Sequence, residues 1–507
     1  MVLNNSFFKL YKISLLLVLS SALFYVSFAY DLVRTDYTKL IMLYVALFFL
    51  FYKLVQITKH NIKFLTWVAF GFRVVFILAI PNLSQDFYRF IWDGRMILEG
   101  INPYLFTVES FISVGKFPIA QAQELYNGMG ALSAGHFTNY PPINQLCFVI
   151  AGLFAGKSIL GSAIVMRLLI IAADFGTLYF GKKLLERLKL PAYNIFWYIL
   201  NPFIIIELTG NLHFEGVMIF FFVWSLYLLH SGKWKFAAVV LALSVSVKLI
   251  PLMFLPLFYQ WFASTRLNDP KKQNVIANLS TVAQDRLKMK QSVSKDEIAT
   301  SQAPRNVGWI PAFAGMTKLV GFYSIVGIIT LLLFLPFYSP KFVTNYTVTV
   351  GLWFQNFEFN ASLYYLAREI GYGFRGWNEI AIIGDFIPIV VVLFVLILTI
   401  FRKNKTTIEL ITAMLLVLSF YLFTTTTVHP WYIATLIILS VFTKYKFPLV
   451  WSFAIILSYL AYINIDKANK TENLWIIGLE YLVVYSVFIW EVFIKKSRMI
   501  TTASSNY

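Results

Sequence analysis

The chain runs to 507 residues, 59% hydrophobic and 18% aromatic, with only 13% charged. That composition excludes an ordinary soluble domain and predicts an all-α, polytopic integral membrane protein. The net charge of +18 does not point to nucleic acid, because the basic residues are scattered in short hinges between apolar runs rather than gathered on one soluble face. The hinges are Lys9 and Lys12, Lys59 and Lys63, Arg402-Lys403-Asn404-Lys405, Lys444 and Lys446, and Lys495-Lys496-Ser497-Arg498. This is the pattern of the positive-inside rule, so the hinges are expected in the cytoplasm. The single cysteine, Cys147, excludes an internal disulfide and any cysteine-based metal cage.

In chain order, about 11–13 transmembrane helices are expected from the apolar runs. Runs near 10–29, 38–57 and 64–82 make an N-terminal unit, residues 1–82, that brings the chain out at Asn82. The stretch Ile13 to Ala29 reads as an uncleaved first span because a similar run follows from Leu40 to Leu54. Residues 83–141 then form an extracytoplasmic loop of short helices and turns, marked by Gly94, Gly100, Pro103, Gly115, Pro118, Gly128 and Gly130. A transmembrane core follows over 142–265, with runs at 143–156, 159–181, 193–209, 214–230 and 236–262. A cytoplasmic basic segment at Lys182-Lys183 to Lys189 requires the 143–156 run to be short or re-entrant. Lys248 and Pro251 break the 236–262 run into two helices that meet at the outer surface. Residues 266–317 are polar and nearly free of aromatics, a composition expected of a flexible cytoplasmic insert. A docking segment for a cytoplasmic partner is the alternative. The C-terminal unit, 318–507, carries runs at 318–337, 380–400, 407–424, 430–443, 447–464 and 474–493, with 338–379, 424–430 and 464–473 outside.

Charge where an apolar chain meets the outer surface is the main functional signal. Read as a helix, Ser84-Gln85-Asp86-Phe87-Tyr88-Arg89-Phe90-Ile91-Trp92-Asp93-Gly94-Arg95 sets Asp86, Arg89 and Asp93 on one face at i, i+3 and i+7. Two carboxylates two turns apart lie roughly 10 Å apart with a guanidinium between them. That suits a site that takes a proton from a hydroxyl and holds a phosphate; an amphipathic helix capping a span is the alternative. Other polar clusters fall on the same side: Asn139-Tyr140-Pro141-Pro142, Gly210-Asn211-Leu212-His213-Phe214-Glu215, Lys248, Trp353 to Ser362, and Thr424-Thr425-Thr426-Thr427-Val428-His429-Pro430-Trp431-Tyr432. A charged residue inside the bilayer costs on the order of 2.5–3.5 kcal/mol, so His213, Glu215 and Lys248 are expected at the interface or against a polar cavity. Snorkelling explains Lys248 otherwise, and an aromatic interface belt explains Trp431 and Tyr432.

The series Asp86-x-Tyr88-Arg89-x-x-Trp92-Asp93-Gly94-Arg95, Gly100-x-Asn102-Pro103-Tyr104, Tyr140-Pro141-Pro142, Asn201-Pro202, Gly210-Asn211-x-His213, Lys248-x-x-Pro251, Phe359-Asn360 and His429-Pro430-Trp431-Tyr432 resembles a polytopic glycosyltransferase of the C superfamily (GT-C), in a bacterial mannosyltransferase-like branch. Two departures stand out: Gln85 replaces the first of two adjacent acids, and Glu215 stands where an aspartate is expected. The resemblance implies a polyprenyl-phosphate sugar as donor, a glycolipid or glycan as acceptor, membrane lipids as surroundings, and a bacterial inner membrane with the site facing the periplasm or outside. It implies no nucleic acid and no cofactor; a divalent metal bridging the acids is compatible but not demanded. Asp86 is then the expected general base, with Asp93 orienting an arginine or the acceptor. Arg89, Arg95 and Lys248 are the expected phosphate clamps. Tyr88, Trp92, Tyr140, His213, Glu215, His429, Trp431 and Tyr432 are expected to contact substrate. A lipid-linked sugar flippase and a polysaccharide polymerase or ligase are the rival readings; the first should show matching broken helices in two halves, and no such halves are visible.

Overall fold

In the computed structural model of the chain, residues 5–264, 309–355, 357–464 and 472–495 are described. Among them all regular structure is helical, apart from one isolated bridge between Phe359 and Thr427. Among the described residues, seven helices are long and apolar enough to cross a membrane: Lys12–Tyr30, Tyr37–Thr58, Ile159–Arg187, Gly315–Phe337, Ile380–Ile400, Thr407–Thr424 and Leu474–Ile494. Local chemistry starts several of them. Asp36 accepts from the Lys39 N–H, Ser158 from Gly161, and Thr406 and Glu409 form a reciprocal capping box.

The other apolar runs are broken rather than continuous, so unbroken spans number fewer than the 11–13 expected. Pro202–Gly210 and Glu215–His230 form one pair bent by 115°, and Pro142–Ala155, Trp234–Val245, Ile250–Ser264, Pro430–Val441 and Phe447–Leu460 are shorter apolar helices. Proline near the N-terminal end of most of these helices explains many of the breaks, since it removes a donor and clashes with the preceding turn. The 236–262 run does divide at Lys248. Residues 338–379, expected as loop, contain the helices Pro340–Gln355 and Leu363–Arg375. Most of the expected insert, residues 266–308, lies outside the described residues; its last part already belongs to the helix Trp309–Phe334.

Pro142–Ala155, at 14 residues, is shorter than the helices long enough to cross a membrane. It lies alongside the helix Asp86–Leu98, with Asp93 level with Gln145 and Gly94 level with Phe148. Both helices therefore start at the same surface and run the same way. The basic hinges gather at the opposite end of the molecule. Lys59 lies 6.0 Å from the Tyr193 ring, Arg187 bonds Ser231, His230 lies 2.9 Å from Thr407, and the Asn404 N–H donates to Gln260.

Backbone freed at the bent pair, and just before it, is satisfied by arginines that drew no attention in the sequence. Arg167 donates to the carbonyls of Thr209, Gly210 and Ile77 at 2.9–3.0 Å. Arg73 pairs with Asp174 at 2.8 Å, both fully buried, and also donates to the Ile199 carbonyl. Irregular backbone is tolerated at membrane depth only when protein groups satisfy it in this way.

Candidate active site

A cavity of about 600 Å³ opens where these broken elements converge, at the end away from the basic hinges. Asp86 forms part of its wall from the first turn of Asp86–Leu98, with its N–H donating to Ser84 Oγ at 3.3 Å. Loss of water around the carboxyl pushes it up to about 6, outweighing the attraction of Lys248 and Arg34. Lys248 enters from the break between Trp234–Val245 and Ile250–Leu257. Its ammonium lies 3.2 Å from Glu215 Oε1 and 5.0 Å from the centre of the Tyr140 ring. Glu215 is fully buried behind it, so the lysine is held as a fixed charge facing the cavity.

The far wall comes from the C-terminal half. His429 and Trp431 stack at 4.6 Å with 6° between their planes, and Phe359 lies 5.2 Å beyond His429. Behind Trp431, the His213 ring stacks at 3.7 Å, so four rings form one column that joins the two halves of the chain. The column is pinned by backbone, because Phe359 N–H donates to Thr426 and Val428 N–H donates to Phe359. Tyr432 meets His429 edge-on at 5.4 Å.

Of the residues expected from the sequence, Asp86, Arg89, Tyr140, Lys248, His429, Trp431 and Tyr432 line the cavity. The others stand off it, for local reasons. Asp93 is fully buried two turns deeper, where Pro142–Ala155 packs over the helix. Its carboxylate accepts from Arg89 Nε at 2.8 Å and Gln145 Nε2 at 3.2 Å. Arg89 reaches the cavity, but its guanidinium is already spent on Asp93 and on the Ser133 and His136 carbonyls, which makes it a strut between the helix and the 133–136 segment. Arg95 turns away to the Ala120 carbonyl and Gln121, and Trp92 is core. Tyr88 packs beneath Gly128. His213 and Glu215 form a second layer behind Trp431 and Lys248.

Three charged cavity residues were not among the expected site residues. Arg34, in the link between the first two spans, carries a positive charge on the side where the hinges carry none, and that exception was the available signal. Glu358 and Glu472 also line the cavity. Glu358 is bound by Arg368, Tyr364 and Asn378, and Glu472 by the Asn360 N–H and Tyr365. Among the described residues, no group of three or more His, Cys, Asp or Glu side chains is placed to hold an ion.

Residues 22–264 match the model of a family described as alpha-(1->6)-mannopyranosyltransferase, N-terminal domain. Over that region the chain is similar to this family. It is 19% identical over 288 residues to alpha-(1->6)-mannopyranosyltransferase A of Mycobacterium tuberculosis, an alignment that covers 53% of each chain. The chain thus spans about half the length of the curated relative it matches. Arg34, Asp86, Glu215 and Lys248 fall within the family match, whereas the ring wall at 429–432 lies beyond it.

Proposed function

We propose that this chain is a membrane mannosyltransferase that moves a hexose from a polyprenyl-phosphate sugar to a hydroxyl of a glycan or glycolipid, at the outer face of a bacterial inner membrane. The observation that carries the reading is the Asp86 carboxyl, half-buried on the wall of a cavity that Lys248 and Arg34 also line, in the part of the chain that resembles mannosyltransferases. In this reading the acceptor hydroxyl gives its proton to Asp86 as its oxygen attacks the anomeric carbon. The bond from that carbon to the phosphate oxygen breaks, and the phosphate leaves with the electron pair. Lys248 and Arg34 face the charge that develops there. Arg34 takes the role that the sequence assigned to Arg95, and Arg89 serves by fixing the helix that carries Asp86. Direct attack with one base inverts the anomeric centre. The acceptor and the lipid chain would lie along the ring wall and Tyr140.

The test is transfer of radiolabelled mannose from a polyprenyl-phosphate donor in membranes, comparing wild type with Asp86→Asn at matched expression. A general base contributes about 10²–10⁴-fold, so the variant should lose that much rate. Wild-type transfer that survives in the variant would remove Asp86 as base. No transfer by the wild type, with mannose or with other hexoses, would remove the glycosyltransferase reading.

A further inference from the structure

One buried acid has no part in that mechanism, yet it touches both sides of the ring wall from beneath. Glu207 is 1% exposed and sits in the π-helical turn Ile205–Gly210, at the bend of the broken pair. Wide turns of this kind are rare and occur often at functional sites. The Tyr459 hydroxyl donates to Glu207 Oε1 at 2.8 Å, and Tyr459 lines the cavity. The other oxygen, Oε2, lies 3.8 Å from His213 Nε2, and the Glu207 carbonyl accepts from the His213 N–H. His213 in turn carries Trp431 on its face at 3.7 Å, and Trp431 carries His429. One carboxylate therefore stands under two cavity-lining side chains that come from parts of the sequence more than 200 residues away.

We infer that Glu207 is a positioning residue: by holding Tyr459 directly and Trp431 and His429 through His213, it sets the aromatic wall against which the sugar donor lies. The inference rests on the transferase reading for what the wall binds, but not for the wall itself. A buried carboxylate oxygen left without its partner costs about 1–3 kcal/mol; Glu207 Oε1 is satisfied by Tyr459 and the Glu207 carbonyl by the His213 N–H, while Oε2 makes no hydrogen bond and faces His213 Nε2 as an ion-pair contact. An arrangement held from below keeps the rings in one orientation before substrate arrives, so that binding does not have to order them.

The test compares Glu207→Gln, Glu207→Ala and Tyr459→Phe with wild type in two assays. The first uses no activity. The chain has five histidines, and diethylpyrocarbonate labelling read by mass spectrometry reports each one. In Glu207→Ala the stack should loosen, so that labelling of His213 and His429 rises while His60 and His230 stay unchanged. Glu207→Gln keeps an oxygen for Tyr459 and should label like wild type. The second assay is mannose transfer: Glu207→Ala should raise the donor KM about tenfold with a smaller change in kcat. Glu207→Gln should restore it, and Tyr459→Phe should fall between. Unchanged histidine labelling in Glu207→Ala would overturn the inference. So would a loss confined to kcat, or failure of Glu207→Gln to rescue, either of which would mark a chemical role. Labelling that moves as stated in a protein without transfer would uphold the positioning role and remove the transferase reading alone.

Discussion

At the scale of single residues, burial and charge pull Asp86 in opposite directions, and their balance makes its behaviour with pH a prediction. The carboxyl is pushed up to about 6 by loss of water, while Lys248 and Arg34 draw it down. A base acts only when ionised, so transfer should fall as pH drops through about 6, by about tenfold per unit below it. Removing Lys248 removes an attraction that lowers this value. In Lys248→Met the acid limb should therefore shift upward, in addition to weaker donor binding. A pH–rate profile of both proteins checks it; a limb that stays in place, or moves down, would mean that Lys248 does not act on Asp86. The residues legible in the sequence were those whose charge interrupts an apolar run near the outer surface: Asp86, Lys248, Glu215. Glu207 carried the same signal, a lone acid near the end of the 193–209 run, and the argument made for Lys248 applies to it unchanged. What could not be read was depth. Asp86, Arg89 and Asp93 do share a face, but the cavity meets only the first turn or so of their helix. Two turns in, the same face is covered by Pro142–Ala155, so a carboxylate there becomes a tie to Arg89 and Gln145.

At the scale of elements, the site depends on how closely Asp86–Leu98 and Pro142–Ala155 approach. Gly94 makes that approach possible. A Cβ there would stand 2.4 Å from the Phe148 carbonyl oxygen, and backbone cannot swing aside as a side chain can. Gly94→Ala should force the two helices apart, costing about 1–3 kcal/mol as overpacking does, and should displace Asp86 with them. Gly71, on the helix Ile62–Val75, has nothing within 4 Å of its would-be Cβ, and Gly71→Ala should cost no stability, since alanine favours a helix interior. Thermal melts in detergent with parallel transfer assays check the pair. Equal melting temperatures for both variants would mean that the contact at Gly94 is not tight. The period of the sequence made both helices foreseeable, and proline at 141 and 142 marked the start of the second. The contact between them depends on which faces meet across the intervening chain from 99 to 141, which no local pattern records. The same holds for the bent pair. Its break at Gly210-Asn211 was visible, but Arg167, which satisfies its Thr209 and Gly210 carbonyls, and Arg73, which satisfies Ile199 just before it, sit in apolar helices where each alone looked like a cost.

At the scale of the whole molecule, the described parts form two halves that meet at the ring column, and the segment between Ser264 and Trp309 joins them. The chain returns where it leaves. A Cβ on Gly315 would lie 2.7 Å from the Phe262 carbonyl oxygen and 3.3 Å from Ala263 Cα, so Phe258–Ser264 and Trp309–Phe334 are packed directly on one another. Joining them needs no long tether, and closing a short loop costs little more or less than closing a long one, about 0.6 kcal/mol per doubling of length. The segment carries many Lys, Gln and Ser residues, and the chain enters it from Ser264, whose hydroxyl donates to the Lys405 carbonyl on the side of the basic hinges. Replacing residues 270–305 by a short Gly/Ser linker should therefore leave transfer within about twofold of wild type and the melting temperature unchanged. A variant that melts like wild type but loses transfer in cells, while keeping it in isolated membranes with donor supplied, would show that this segment docks a cytoplasmic partner. A variant that loses transfer in both would show that the two halves depend on it for their register.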